Sequence, residues 1–187
     1  ATPWNNITSH QESSTTSWIK DVENNYTNIG VRVLDGFTAT HAGVGSEPAS
    51  PVTVDGVEFP LTAWKDGLLV KGEKNQGDVG PGRIEISQLD VARKYNFTIL
   101  AIRFNGSKDA RISSYKLVGK TESAVKEVKT GIKDAASFAA ANFEEYIAKF
   151  ENVEPDSEGK VIVEVKGLDT GSAAEGHINA LCISLAK

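Results

Sequence analysis

Three aromatic side chains, Trp18, Tyr26 and Trp64, fall in or beside segments rich in turn-forming residues. A flat ring at a loop offers an apolar platform for the C–H face of a sugar, provided a few fixed polar groups meet its hydroxyls. The run from Arg103 to Arg111 supplies such groups at one end of two adjacent strands, in Arg103, Asn105, Asp109 and Arg111. These seven residues are the candidate ligand contacts. Each also has a plainer reading. Trp4 and Trp64 suit core plugs, because tryptophan is mostly buried in domains of this size, and Arg111 suits an ion pair that anchors a loop.

A cation offers a second chemistry. Asp35, Asp66 and Asp78 are loop acids suited to a structural calcium, which takes carboxylates and backbone carbonyls without a fixed motif. The competing reading is that they cap turns through their own backbone. Zinc signatures are lacking, since the sequence has neither H-E-x-x-H nor C-x-x-C, and no motif requires a cofactor.

Catalytic signatures are equally sparse. Gly43-Val44-Gly45-Ser46 approaches a nucleophile elbow but lacks its closing glycine. The histidines, His10, His41 and His177, are spread along the chain, so a triad would have to be gathered from distant segments. Gly77 to Gly82 lacks the Lys-Ser/Thr of a phosphate loop. The expectation is a chain without catalysis of its own.

Composition narrows the partners. The net charge is −5, with 20 basic and 25 acidic residues intermixed and no basic stripe. Nucleic-acid binding draws its affinity from clustered Lys and Arg, so it is not expected. No stretch approaches 18 apolar residues, which excludes a membrane-spanning helix. The chain lacks methionine and opens on Ala1-Thr2-Pro3-Trp4. That start reads as the product of signal-peptide removal, so a secreted or cell-surface location is expected. The single cysteine, Cys182, lies in an apolar run and reads as a packed thiol.

The elements that must position these residues are strands. Apolar residues alternate at Ile29, Val31 and Val33, at Ile84 and Ile86, and at Val161, Val163 and Val165. Val52, Val54 and Val57 flank Asp55-Gly56, a hairpin signal. Leu68 to Val70, Ile112 to Val118, Ala124 to Val128 and Ile178 to Leu185 read as further strands, and Tyr95 to Phe104 as a central one. Nine or ten strands suffice for two sheets facing across a core. The 187 residues suit one β-sandwich domain, with Ser-, Thr- and Asn-rich residues 1–28 as a loosely ordered arm pinned by Trp4 and Trp18. Residues 134–150 carry both signals: helix-favouring Ala, Glu and Lys behind Asp134, and alternation at Tyr146, Ala148 and Phe150.

An ordered set of short motifs adds a resemblance. Trp4-Asn5-Asn6-Ile7-Thr8 and Val33-Leu34-Asp35-Gly36-Phe37 open it. Tyr95-Asn96-Phe97-Thr98, Arg111 with Tyr115, Gly119 and Asn142 follow. Asn152 to Lys160, containing Val153-Glu154-Pro155-Asp156, and Gly176-His177-Ile178-Asn179-Ala180-Leu181 close it. In this order they resemble the galactose-binding-like jelly-roll modules of exported Bacteroidetes proteins, many of them carbohydrate-active. The resemblance implies an all-β, two-sheet antiparallel sandwich with a short helix accommodated within 134–143 and residues 144–151 as strand. It also implies a non-catalytic carbohydrate-binding module with a polysaccharide or glycan partner. The alternatives are a structural or adhesive surface domain, or an accessory domain of a hydrolase within a larger exported protein. His177 stands where those modules carry an aromatic residue, and Lys133–Ala141 is longer and richer in Ala than their connection. Both departures are expected near loops at the sheet ends. Asn179, in an apolar strand, is expected to pin a neighbouring loop, because a buried unpaired amide is costly.

Overall fold

The computed structural model describes residues 4–7, 9–35, 37–42, 52–54, 56–59, 63, 66–71, 81–104, 111–134, 136–137, 141–168 and 175–187. The first strand segments are β1 (Thr15–Thr16), β2 (Gly30–Asp35), β3 (Ala39–Ala42), β4 (Val52–Val54), β5 (Val57–Phe59) and β6 (Asp66–Lys71). Then come β7 (Gly82–Ser87), β8 (Tyr95–Leu100), β9 (Arg103–Phe104), β10 (Ile112–Val118), β11 (Lys126–Lys129) and β12 (Gly131–Ile132). A 3-10 turn, Phe143–Tyr146, leads into β13 (Ile147–Val153), followed by β14 (Val161–Gly167), β15 (Glu175–Ile178) and β16 (Ala180–Leu185).

Six strands form one antiparallel sheet in the order β1-β2-β7-β14-β10-β11. A second layer holds β13-β8-β16 and β15-β6-β3, which are linked because β15 and β16 are one run of chain broken only at Asn179. Alternation explains the layering. Along β14, Val161, Val163 and Val165 are buried while Ile162, Glu164 and Lys166 are less so. The valines join Val33, Ile84, Ile86 and Leu117 of their own sheet in one cluster with Phe97, Ile99, Phe150 and Ile178 of the facing layer. The expected all-β, two-layer antiparallel sandwich is the observed fold.

The outer face of the six-stranded sheet is laced with cross-strand charge pairs. Arg83 meets Asp35 at 3.2 Å and Glu164 at 3.0 Å, Lys116 meets Glu164 at 3.1 Å, and Arg32 meets Glu85 at 3.1 Å. Burial pushes the Glu164 carboxyl up, but Arg83 and Lys116 together pull it below its ordinary value.

Why the Tyr95–Phe104 run is apolar for so long is answered by its second face. Tyr95, Phe97 and Ile99 point into the inter-sheet core, while Leu100 and Ile102 join a separate cluster with Phe59, Ile132, Tyr146 and Ile147. Trp4 packs on that cluster, its ring 5.6 Å from that of Phe59. β8 is therefore central in its layer, and the chain gains apolar cover on its second face from Leu100 onward.

The ambiguous stretch uses both of its signals. Residues 136–137 lie in a helical turn, and the Asp134 carboxylate accepts the Ser137 N–H at 2.7 Å in the manner of an N-cap. Asn142 then caps the 3-10 turn by accepting the Glu144 N–H at 3.3 Å. The strand expected from residue 144 begins at Ile147 because this capped turn holds the three residues before it.

Two turn expectations hold at atomic detail. The Asp156 carboxylate accepts the N–H groups of Glu158 at 2.8 Å and Lys160 at 2.9 Å, and Gly159 has φ +74°. A Cβ at Gly159 would also lie 2.5 Å from the Leu89 carbonyl oxygen, so side-chain bulk is excluded twice over. The Asn179 side chain accepts the Ile102 N–H at 2.7 Å and donates to the Asp66 carbonyl at 2.9 Å. It thereby fastens the point where the last strand passes from β6 to β8.

Candidate functional site

Two places in the described residues concentrate the chemistry. The first is the hairpin between Ile19 and Ile29, which precedes β2 at one edge of the six-stranded sheet. The Ile19 N–H donates to the Ile29 carbonyl at 3.0 Å, the Thr27 N–H reaches the Ile19 carbonyl at 2.9 Å, and Lys20 bridges Tyr26. Its tip is an Asx turn. The Asp21 carboxylate accepts N–H groups from Glu23 and Asn25, each at 2.9 Å, and these bonds, that from Asn25 foremost, hold its pKa below the usual 3.8. The hairpin is tied down by Asn5, whose amide accepts the Lys20 N–H at 2.8 Å and donates to the Lys20 carbonyl at 2.9 Å.

On this frame Trp18 is 65% exposed and Tyr26 73% exposed, with Val22 also outward at the tip. The Lys20 ammonium lies 4.9 Å from the Tyr26 ring centre and 3.1 Å from Asn24 Oδ1. Trp18 has φ +58°, in the left-handed region that bulky side chains avoid. Such a conformation costs about 1–3 kcal/mol and persists only where the surroundings impose it. The hairpin and its entry thus carry two exposed aromatic residues, with the Lys20 ammonium against the Tyr26 ring and carboxylate and amide groups at the turn. That combination suits stacking with a sugar face and hydrogen bonding to its hydroxyls.

The second place is the junction of the two layers. Arg103 Nη1 lies 2.6 Å and Arg111 Nη2 3.1 Å from the same oxygen of Glu175. Arg111 is only 2% exposed. Burial lowers its pKa, Glu175 opposes that fall and Arg103 adds to it. Beside it His177 is wholly buried in β15, its N–H donating to Ser113 Oγ at 3.0 Å and its carbonyl accepting the Tyr115 hydroxyl. Burial pushes the Tyr115 phenol well above its ordinary value, so it remains a donor. Here the layers approach backbone to backbone: a Cβ at Gly176 would sit 2.7 Å from the Gly167 nitrogen. The His177 departure therefore lies inside the sandwich on a strand, rather than at a loop as expected.

The candidate contacts separate accordingly. Trp18 and Tyr26 share the hairpin. Arg103 and Arg111 are brought together, but onto an internal carboxylate, as the anchoring reading of Arg111 anticipates. Trp64, Asn105, Asp109 and Asp78 lie outside the described residues. Asp35 faces Arg83, and Asp66 is exposed at the start of β6, where its backbone carbonyl serves Asn179. Among the described residues no three His, Cys, Asp or Glu side chains gather as a metal site, and no helix is long and apolar enough to cross a membrane.

Sequence reasoning missed Glu175, Ser113 and the scaffold of the hairpin. Asp21 carried a usable signal, since Asp followed by Val-Glu-Asn-Asn suits an Asx turn. Glu175 carried none, as its partners lie more than 60 residues away in sequence.

No protein-family model and no curated protein matches the chain. Among solved structures it is similar to TmCBM61 in complex with β-1,4-galactotriose, at 14% identity and a TM-score of 0.37, over 65% of this chain and 71% of that one.

Proposed function

We propose that this chain is a non-catalytic carbohydrate-binding module that acts outside the cell, where polysaccharide is met, and that it holds its ligand on the Trp18–Tyr26 hairpin. The observation that carries the reading is Trp18 itself: a large apolar ring, 65% exposed, kept in a left-handed backbone conformation. Stability alone would favour glycine there. A ring held outward against that preference suits an outward task, and the turn of the same hairpin carries the polar side chains of Asp21, Asn24 and Asn25. The motif resemblance supports the same ligand class.

Affinity electrophoresis in gels containing plant, algal and host polysaccharides tests it. At least one neutral polysaccharide retards the chain, and Trp18→Ala and Tyr26→Ala each reduce that retardation about tenfold or more, the scale of a central aromatic contact. No retardation in any gel sinks the reading. A second reading, adhesion to a protein partner, is favoured by the exposed Val22 in the turn of the same hairpin. Soluble oligosaccharide would then fail to compete for the hairpin.

A further inference from the structure

The opposite edge of the six-stranded sheet carries a different feature. A cleft of about 320 Å³ opens where β11 and β12 meet the 3-10 turn. Its wall includes Lys129, Lys133, Ser137, Asn142 and Glu145, and the buried Tyr146 forms part of it. Such a volume matches the lower end of small-molecule sites, the size of one sugar ring.

The charges around the cleft are weakly committed. Lys129 meets Glu145 at 3.9 Å, at the limit of an ion pair, with both side chains about half exposed. Pairs of that kind contribute little, so Lys129 can change partner at small cost. Lys133 is next to Asp134, whose carboxylate is bonded by Ser137 and whose charge attracts Lys133 at an exposed site, where such attraction is weak. Lys129 and Lys133 thus line the cleft with Ser137 and Asn142, and the Lys129 ammonium lies 5.8 Å from the centre of the Tyr146 ring. A ligand that fits this set has one carboxylate for the lysines and hydroxyls for Ser137 and Asn142.

We propose that this cleft is a second, separate subsite that binds a single acidic sugar residue, a hexuronate, through Lys129 and Lys133. That the carboxylate belongs to a sugar rests on the carbohydrate reading above; the location and the anion preference do not. The cleft and the hairpin sit at opposite ends of the strand order, five strand spacings or roughly 24 Å apart. They therefore act independently, and their substitutions combine additively.

Amide shifts of the whole isotope-labelled chain, titrated with galacturonate, galactose and acetate, provide the test. Galacturonate shifts the amides of Gly131, Ile132, Ser137 and Glu145 in a saturable way, while galactose leaves them in place. Lys129→Gln with Lys133→Gln weakens that binding about tenfold, the scale of one charge-assisted contact. Glu145→Gln tightens it, because the competing carboxylate is gone; a cleft whose residues only support the fold would show no gain. The proposal is overturned if galacturonate moves none of these amides, if galactose moves them equally, or if acetate binds as tightly as the sugar acid. Trp18→Ala leaves the galacturonate titration unchanged. Failure of the hairpin reading therefore appears as lost polysaccharide retention with the cleft intact, and failure of the cleft as the reverse.

Discussion

The layer junction and the hairpin contain similar chemistry and put it to opposite uses. At the junction, Arg103, Arg111, Glu175, Ser113 and Tyr115 direct their polar groups at one another and at the β15 backbone. At the hairpin, Asp21, Asn5 and Thr27 also satisfy the backbone, yet Trp18 and Tyr26 stay open to solvent. Residue type does not distinguish the two. What distinguishes them is whether a second layer of chain lies above. β15 is pressed against β10 and β14 by Gly167 and Gly176, so every polar group there must find an internal partner. The hairpin edge has backbone bonds but, among the described residues, no layer over its rings.

The sharpest way to break this contrast is to remove the carboxylate at the junction. Glu175→Gln keeps the shape but leaves the Arg103 and Arg111 guanidinium groups without their anion, and Arg111 cannot turn to water. Uncompensated buried charge of this kind costs about 3 kcal/mol. Urea unfolding should show the midpoint fall with the slope unchanged. Polysaccharide retention by the hairpin should persist wherever the variant is still folded. A loss under about 0.5 kcal/mol would mean the pair does not hold the layers together.

How much of this the residues reveal in advance follows the same division. The alternation at Val161, Val163 and Val165, the turn at Asp156 and Gly159, and the pinning role of Asn179 are local patterns with local consequences, and each reads correctly from sequence. The anchoring reading of Arg111 also holds, because a cation among apolar strands must find an anion. Which anion is a different matter. Glu175 reaches Arg103 and Arg111 only after β15 crosses onto the facing sheet, and no periodicity encodes a crossing. His177 fails for the same cause: its neighbours in sequence suggest a strand end, while the close approach of Gly167 and Gly176 seals it inside. At the hairpin the aromatic side chains are visible in the sequence, but the left-handed backbone at Trp18 is not, since that residue stands between the pairing of Thr16 with Val31 and the bonds that hold Ile19 to Ile29 and Lys20 to Asn5.

A smaller effect separates stability from binding at Trp18. Trp18→Gly removes the steric cost of φ +58° and adds chain entropy to the unfolded state, so the two changes oppose each other. The unfolding free energy should stay level or rise by up to about 1 kcal/mol. Polysaccharide retention should disappear in the same variant. A ring that packs for the fold would give the opposite result, with stability falling by about 2 kcal/mol or more.

The mildest test uses acid and touches only the hairpin. The Asp21 carboxyl, held below 3.8 by the N–H groups of Asn25 and Glu23, contributes its turn-closing bonds in full above that value. Its folded pKa is depressed, so the contribution is lost as pH falls through the folded value, below about 3.8 and not above it. Amide shifts of Glu23 and Asn25 should therefore hold steady around neutral pH and move together as the pH falls below 3.8. Asp21→Asn should abolish that step, because its amide does not titrate. The amide of His177, bonded to a serine hydroxyl that does not titrate, provides the internal reference. If it moves in step with Glu23 and Asn25 and still does so in Asp21→Asn, the acid transition belongs to the whole sandwich. The hairpin would then not be the separately held element that its local bonds and open rings describe.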